Sequence, residues 1–142
     1  MGFSSEIRVL ALGLIVDGTR TFVSQGYDPK KNRTYYRSLG GGVDFGETSL
    51  QALEREFHEE LGAKLTNIRY LSCLENIFEY NGKPGHEVIQ LYACDFCDRH
   101  FYEIESIEFS EGKRKKRALW VNCDRFRSGE LTLYPLGIEA YL

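Results

Sequence analysis

Apolar and polar positions alternate along much of this chain, and the alternating stretches read as strands. "EIRVLALGLIV" (6–16) is apolar and β-rich, "DG" at 17–18 is a two-residue hairpin signal, and "TRTFVSQGY" follows as the partner strand. "DPKKN" (28–32) reads as a polar loop and "TYYRSL" (34–39) as a short strand running into a turn of Gly40, Gly41 and Gly42. "LTNIRYLSCLENIFEY" (65–80) reads as extended, "NG" (81–82) as a second hairpin turn, and "HEVIQLYACDF" (86–96) as the antiparallel return. Residues 100–117 are polar and predict a loop, "ALWVNC" (118–123) a last strand, and "DRFRSG" (124–129) one helical turn. A short helix is expected after Pro135.

One segment switches to helical period. Thr48 is an N-cap with Gln51 three residues on, as in a capping box, and Gly62 is a C-terminal glycine, so a helix is predicted over 49–61. At about 100° per residue, Leu50, Leu53, Phe57 and Leu61 form one stripe, expected to face the sheet. A mostly β chain with one strong helix does not alternate as a doubly wound parallel sheet does; a mixed sheet with helices on its faces fits better.

Composition changes this picture little. The 142 residues suit one domain, read as 1–142, and 42% hydrophobic with 27% charged residues is ordinary for a globular protein. A net charge of −3 argues against nucleic acid as a partner. No apolar run approaches the roughly 20 residues of a membrane span. Glu6 and Asp17 spoil a signal peptide, and Glu6 after Gly2 and Ser5 spoils a myristoylation pattern, so a cytoplasmic location and no membrane partner are expected. Cys73, Cys94, Cys97 and Cys123 then read as reduced thiols; the "CDFC" spacing has no second pair to complete a zinc site.

The helix carries the candidate chemistry. Glu56, Glu59 and Glu60 fall on the face adjoining the apolar stripe, at i,i+3 and i,i+4 spacing. Like charges so placed cost roughly 0.2–0.5 kcal/mol per pair. A solvated face is the ordinary meaning of such a run, with Arg55 and Lys64 relieving the repulsion. The glycines before the helix shift the balance: they allow close backbone approach, and a carbonyl there could complete an oxygen shell for Mg²⁺ or Mn²⁺.

In register, Gly41, Glu47, Arg55, Glu56, Phe57, Glu59, Glu60 and Gly62 resemble the signature of the Nudix hydrolases, G-x5-E-x7-R-E-U-x-E-E-x-G-U with U a bulky apolar residue. The chain departs from it at Ala63, small where a bulky residue is usual, and at Phe57, aromatic where an aliphatic is usual; Leu39 stands where many relatives carry Pro. The box covers about a sixth of the chain, and the strand pattern, the single Trp120 and the length are also similar to a minimal Nudix domain.

The resemblance implies an α/β/α sandwich with a mixed central sheet. It implies a pyrophosphohydrolase that cleaves a nucleoside diphosphate linked to another group, of ADP-ribose, nucleotide-sugar or nucleoside triphosphate type. The cofactor implied is Mg²⁺, with Mn²⁺ a substitute. Glu56, Glu59 and Glu60 are implied as ligands and catalytic groups, joined by the Gly40 carbonyl and Glu47, while Arg55 is implied to hold the carboxylates in place.

The general base is open: Glu111 is favoured over Glu103, Glu105, Glu108 and Glu87, each of which is also an ordinary exposed carboxylate. "KRKKR" (113–117), and Lys113 in particular, could cover substrate phosphates, contact RNA, or be a solvated loop. Arg37 could meet a phosphate, and Tyr35, Tyr36, Phe78 and Tyr80 could stack a base or be core. A silent nucleotide-binding sensor and an RNA-interacting protein are the rival readings, and a homodimer is left open.

Overall fold

The computed structural model describes residues 6–142; the reading of Gly2 and Ser5 lies outside them. In chain order the elements are β1 (Arg8–Leu14), β2 (Val16–Asp17), β3 (Arg20–Asp28), β4 (Arg33–Gly42), α1 (Ser49–Leu61), β5 (Leu65–Tyr80), β6 (Lys83–Phe96), α2 (His100–Glu103), β7 (Ser106–Glu111), β8 (Arg114–Asn122), α3 (Cys123–Arg127) and β9 (Leu133–Tyr134). A 3₁₀ turn (Ile138–Tyr141) ends the chain. The strands form one mixed sheet in the order β5-β6-β1-β4-β3-β8-β7, with β2 on β3 and β9 on β4. β1 runs parallel to β6 and antiparallel to β4.

The two faces of the sheet are covered separately. On one, Leu53 and Phe57 of α1 pack with Ala11, Phe22 and Phe96. On the other, Phe126 of α3 and Ile138 of the terminal turn pack with Leu12, Val23 and Leu133. This is the layered α/β arrangement with a mixed central sheet.

Local chemistry explains the elements that were expected. Thr48 accepts from the Gln51 N–H at 3.1 Å, and the Gln51 side chain accepts from the Thr48 N–H at 2.9 Å, closing the capping box. Gly62 takes a left-handed φ of 64°, and its N–H reaches the His58 carbonyl at 2.9 Å. Asn81 and Gly82 both have positive φ, as a two-residue hairpin loop demands, and join β5 to β6.

Four expectations are corrected. Residues 100–117 are not a loop but hold α2 and most of the β7–β8 hairpin. Phe109 is buried there, and the Trp120 Nε1–H donates to the Phe101 carbonyl at 2.9 Å, so a few apolar anchors order a polar stretch.

The glycines 40–42 are not a turn but the end of β4, paired with β1 from Leu10↔Gly42 to Leu12↔Gly40. A Cβ on Gly40 would stand 2.0 Å from the Ala11 carbonyl oxygen.

The first hairpin loop is Gly18–Thr19, one residue later than read, because Asp17 pairs with Arg20. In α1 the buried face is Ala52, Leu53 and Phe57, whereas Leu50 is exposed.

Candidate functional site

Packing sets the site. With Leu53 and Phe57 seated on the sheet, the next face of α1 looks onto the end of β4, and the Glu56 carboxyl lies directly over Gly41. A Cβ at Gly41 would come within 2.5 Å of Glu56 Cδ, so only glycine leaves room for this carboxylate. A cleft of about 510 Å³ opens here, lined by Gly40 to Gly42, Glu56, Glu59 and Glu60 on one side and by Arg37, Glu111 and Lys116 on the other.

Arg55 is the hub of the loop between β4 and α1. Its Nε–H donates to Glu47 Oε2 at 2.8 Å, and its Nη2 group donates to Glu47 Oε1 and the Gly42 carbonyl, both at 2.9 Å. Its Nη1 group donates to Glu56 at 3.0 Å and Glu59 at 3.3 Å. This forked contact pulls the Glu47 carboxyl down to about 2, with help from the Asp44 N–H, and pushes the Arg55 guanidinium up. Arg55 faces its own loop and helix, where it ties the strand end, the loop and the two glutamates together.

Two carboxylates depart in the opposite direction. Burial raises Glu56. Burial, then the charges of Glu111 and Glu56, push Glu60 up to about 8. Glu111 is held low: burial opposes its ionisation, but Lys116, with Nζ 3.1 Å away, outweighs it together with a hydrogen bond from protonated Glu60. Glu60 and Glu111 therefore titrate as a pair.

The residues fit a hard divalent cation. The donors are all oxygen, burial raises Glu56 and Glu60 against a charge that a cation would offset, and the glycine cradle is filled by a carboxylate. Ser38 Oγ, also in the cleft lining, is buried without a hydrogen-bond partner among the described residues. In this state Arg55 occupies Glu56 and Glu59, and among the described residues no three His, Cys, Asp or Glu side chains form a ready metal-holding group. Cys94 packs in the core and Cys97 is exposed.

Of the residues singled out in the sequence, the cleft brings together Gly40, Glu56, Glu59, Glu60, Arg37 and Glu111. Glu47 sits behind it on Arg55. Lys113 lies in the exposed β7–β8 turn, outside the cleft lining; Lys116 takes that place, since alternation along β8 decides which cation of the run points inward.

Glu87 is buried in an adjoining pocket of about 270 Å³, beside Arg37 at 3.5 Å and Asn76 at 3.4 Å. Tyr35, Phe78 and Tyr80 line that pocket, while Tyr36 packs in the core. Glu108 lines a separate groove. The sequence reading missed Arg8 and Ser38. Neither has a local signal: Arg8 opens a strand, and only the β1–β4 pairing sets its guanidinium beside Gly42.

A family model described as NUDIX domain matches residues 6–134. An RNA pyrophosphohydrolase of Francisella tularensis subsp. mediasiatica is 35% identical over 72 residues, which is 51% of this chain and 44% of that protein. One from Francisella philomiragia is 36% identical over 52 residues, 37% of this chain and 34% of that protein. The chain thus spans less than half the length of the curated relatives it matches.

Among solved structures, the MutT NUDIX hydrolase from Burkholderia pseudomallei aligns with a TM-score of 0.61 and 26% identity, covering 84% of this chain and 86% of that one. A NUDIX hydrolase from Nitrosomonas europaea aligns with a TM-score of 0.65 and 16% identity, covering 96% and 86%.

These relatives correct one expectation. Net charge argued against nucleic acid as a partner, yet the matched relatives are named for RNA. A whole-chain charge of −3 averages over a strongly acidic helix face and a strongly basic β7–β8 hairpin, and so hides the local field that matters. The box on α1, the carboxylate-lined cleft and the match over residues 6–134 agree: this chain belongs to the NUDIX domain family.

Proposed function

We propose that the chain is a divalent-cation-dependent pyrophosphohydrolase that cleaves a phosphoric anhydride bond, with the 5′ end of RNA as its substrate class. The observation that carries the reading is the cleft itself. It sets Glu56, Glu59, Glu60 and Glu111 against Arg37 and Lys116 in one space of about 510 Å³. That is the charge pattern a pyrophosphate bridge requires: cations for its oxygens, and carboxylates where a metal and a nucleophilic water must stand. The RNA end is supported by the names of the relatives.

Glu56, Glu59, Glu60 and the Gly40 carbonyl would hold Mg²⁺ or Mn²⁺. When bound, the ion would offset charge on the phosphates and lower the pKa of water. The remaining roles belong to the chain. Arg37 and Lys116 bind phosphate oxygens and orient the anhydride. Arg55 positions Glu56 and Glu59 through the bonds described. Glu111 is held ionised by Lys116 and is the base that accepts a proton from water. Water adds across the P–O–P bridge, and two phosphate-bearing products leave.

No helix of the described residues is long and apolar enough to cross a membrane; a cytoplasmic site of action belongs to the same proposal.

The test is hydrolysis of a 5′-triphosphorylated oligoribonucleotide, a free nucleoside triphosphate and ADP-ribose, each with Mg²⁺ or Mn²⁺, with both products identified. RNA bearing a 5′-monophosphate is the expected product. Absence of turnover on all three substrates would overturn the reading.

A further inference from the structure

The basic run 113–117 is only partly used by the cleft. β3 and β8 pair from Arg20↔Asn122 to Gln25↔Arg117 and no further. Beyond that point both strands continue, but apart. Gly26, Tyr27 and Asp28 stay with β4, and Arg114, Lys115 and Lys116 stay with β7. The sheet forks here, and the fork is a groove of about 800 Å³. Its β8 bank is Arg114, Lys115, Lys116 and Arg117; its other bank carries Tyr27, Tyr35 and Tyr80.

Four features give the fork a direction and a chemistry. Arg114 and Lys116 line both the fork and the aromatic pocket, and Lys116 also lines the cleft, so the three spaces adjoin one another across these side chains. Lys115 and Arg117 line the fork alone among these cavities, so they belong to a surface the cleft does not use. Tyr35 lies across Gly26, where a Cβ would come within 2.5 Å of its Cζ, and Tyr27 is about half exposed. Glu108 is the one acidic residue in the lining, facing four cations.

We propose that this fork is the exit track for single-stranded RNA. The chain just downstream of the 5′ end in the cleft passes between β3 and β8, its phosphates on Lys115 and Arg117 and its bases against Tyr27, which shares their face of the sheet by register. Cations beside an exposed aromatic ring are a general means of holding a single strand without reading its sequence. The proposal rests on the reading of the substrate as an RNA 5′ end and adds where the body of that RNA lies.

The test uses the Lys115→Ser/Arg117→Ser double variant, which leaves the cleft lining intact. Two measurements are made. Anisotropy of a labelled 5′-hydroxyl dodecaribonucleotide, which has no anhydride to cleave, reads the track alone. Its affinity should fall about tenfold in the variant. The slope of log affinity against log salt should become shallower by about 1.4, two phosphate contacts at roughly 0.7 each. Turnover is then compared on a 5′-triphosphorylated dodecamer and a free nucleoside triphosphate. The variant should lose kcat/KM on the dodecamer and keep it on the mononucleotide.

Dodecamer binding and salt slope unchanged in the variant would overturn the track, whether or not RNA is hydrolysed. A track-dependent affinity for 5′-hydroxyl RNA with no hydrolysis of any triphosphorylated RNA would uphold the track and refute the proposed activity. An extended peptide filling the fork in place of RNA, with no RNA affinity at all, would also overturn the track.

Discussion

Glu60 on α1 and Glu111 at the end of β7 meet across the cleft in opposite protonation states, Glu60 pushed up to about 8 and Glu111 held low by Lys116. The pair makes metal-free stability depend on pH. In the unfolded chain Glu60 ionises near 4.5, but in the folded one only near 8. Between those values the folded state binds more protons, so stability falls as pH rises. In excess chelator, denaturant unfolding at pH 5 and pH 8 should show this fall, and Glu60→Gln should flatten it. An equal pH dependence in the variant would show that burial of this charge is not the cause.

A divalent cation should reverse the penalty. Wild type should gain stability with Mg²⁺, about 2.7 kcal/mol at a hundredfold excess over Kd, because only the folded chain gathers the ligands. Glu56→Gln/Glu60→Gln should gain almost nothing while keeping a native circular dichroism spectrum. Thermal melts with and without Mg²⁺ decide this, and equal shifts in both proteins would refute the ligand assignment.

Gly41→Ala tests the cradle. The added Cβ would stand 2.5 Å from Glu56 Cδ, so the carboxylate must move while the core beneath Phe57 stays as it is. A displacement of this kind at a reacting centre costs on the order of 10²-fold in rate. The expected outcome is that loss in kcat with a largely native melt. Retained activity would mean that Glu56 works from another position.

The Arg55–Glu47 contact predicts the acid limb of stability. Glu47 is depressed to about 2 from an ordinary 4.5, so its contribution is fully present above 4.5 and is lost as pH falls toward 2. Glu47→Gln should therefore differ most from wild type at neutral pH and converge with it in acid. Arg55→Lys should behave like Glu47→Gln, because an ammonium cannot make the forked contact to Glu47 and reach Gly42 as well. Unfolding curves at pH 6, 4 and 3 give the comparison.

What the chain states locally was legible in its sequence. The Thr48–Gln51 box, the Gly62 stop and the Asn81–Gly82 turn each depend on atoms a few residues apart, and each stands as read. The register of Glu56, Glu59 and Glu60 on one helical face is likewise a matter of spacing alone. Two local readings failed because a distant partner outranked them. Leu50 belongs to an apolar stripe by spacing, yet α1 settles with Ala52 inward, since the surface of β1 and β4 selects the rotation. Gly40 to Gly42 look like a turn in isolation, yet β1 takes them as a strand.

The sequence alone determined the helix, its caps and the carboxylate set, because backbone hydrogen bonds and helical pitch are short-range. Tertiary structure alone decided what those carboxylates face. Glu111 and Lys116 come from strands far along the chain, Arg37 from the strand just before the helix, and pairing such as Phe109↔Lys116 sets which side of β8 meets the cleft. A one-residue slip in that ladder would turn Lys116 outward and bring Lys115 in, because side chains on a strand alternate faces. The same pairing, by ending at Gln25↔Arg117, opens the fork. No local pattern encodes where two strands part; that follows from which neighbour each strand keeps.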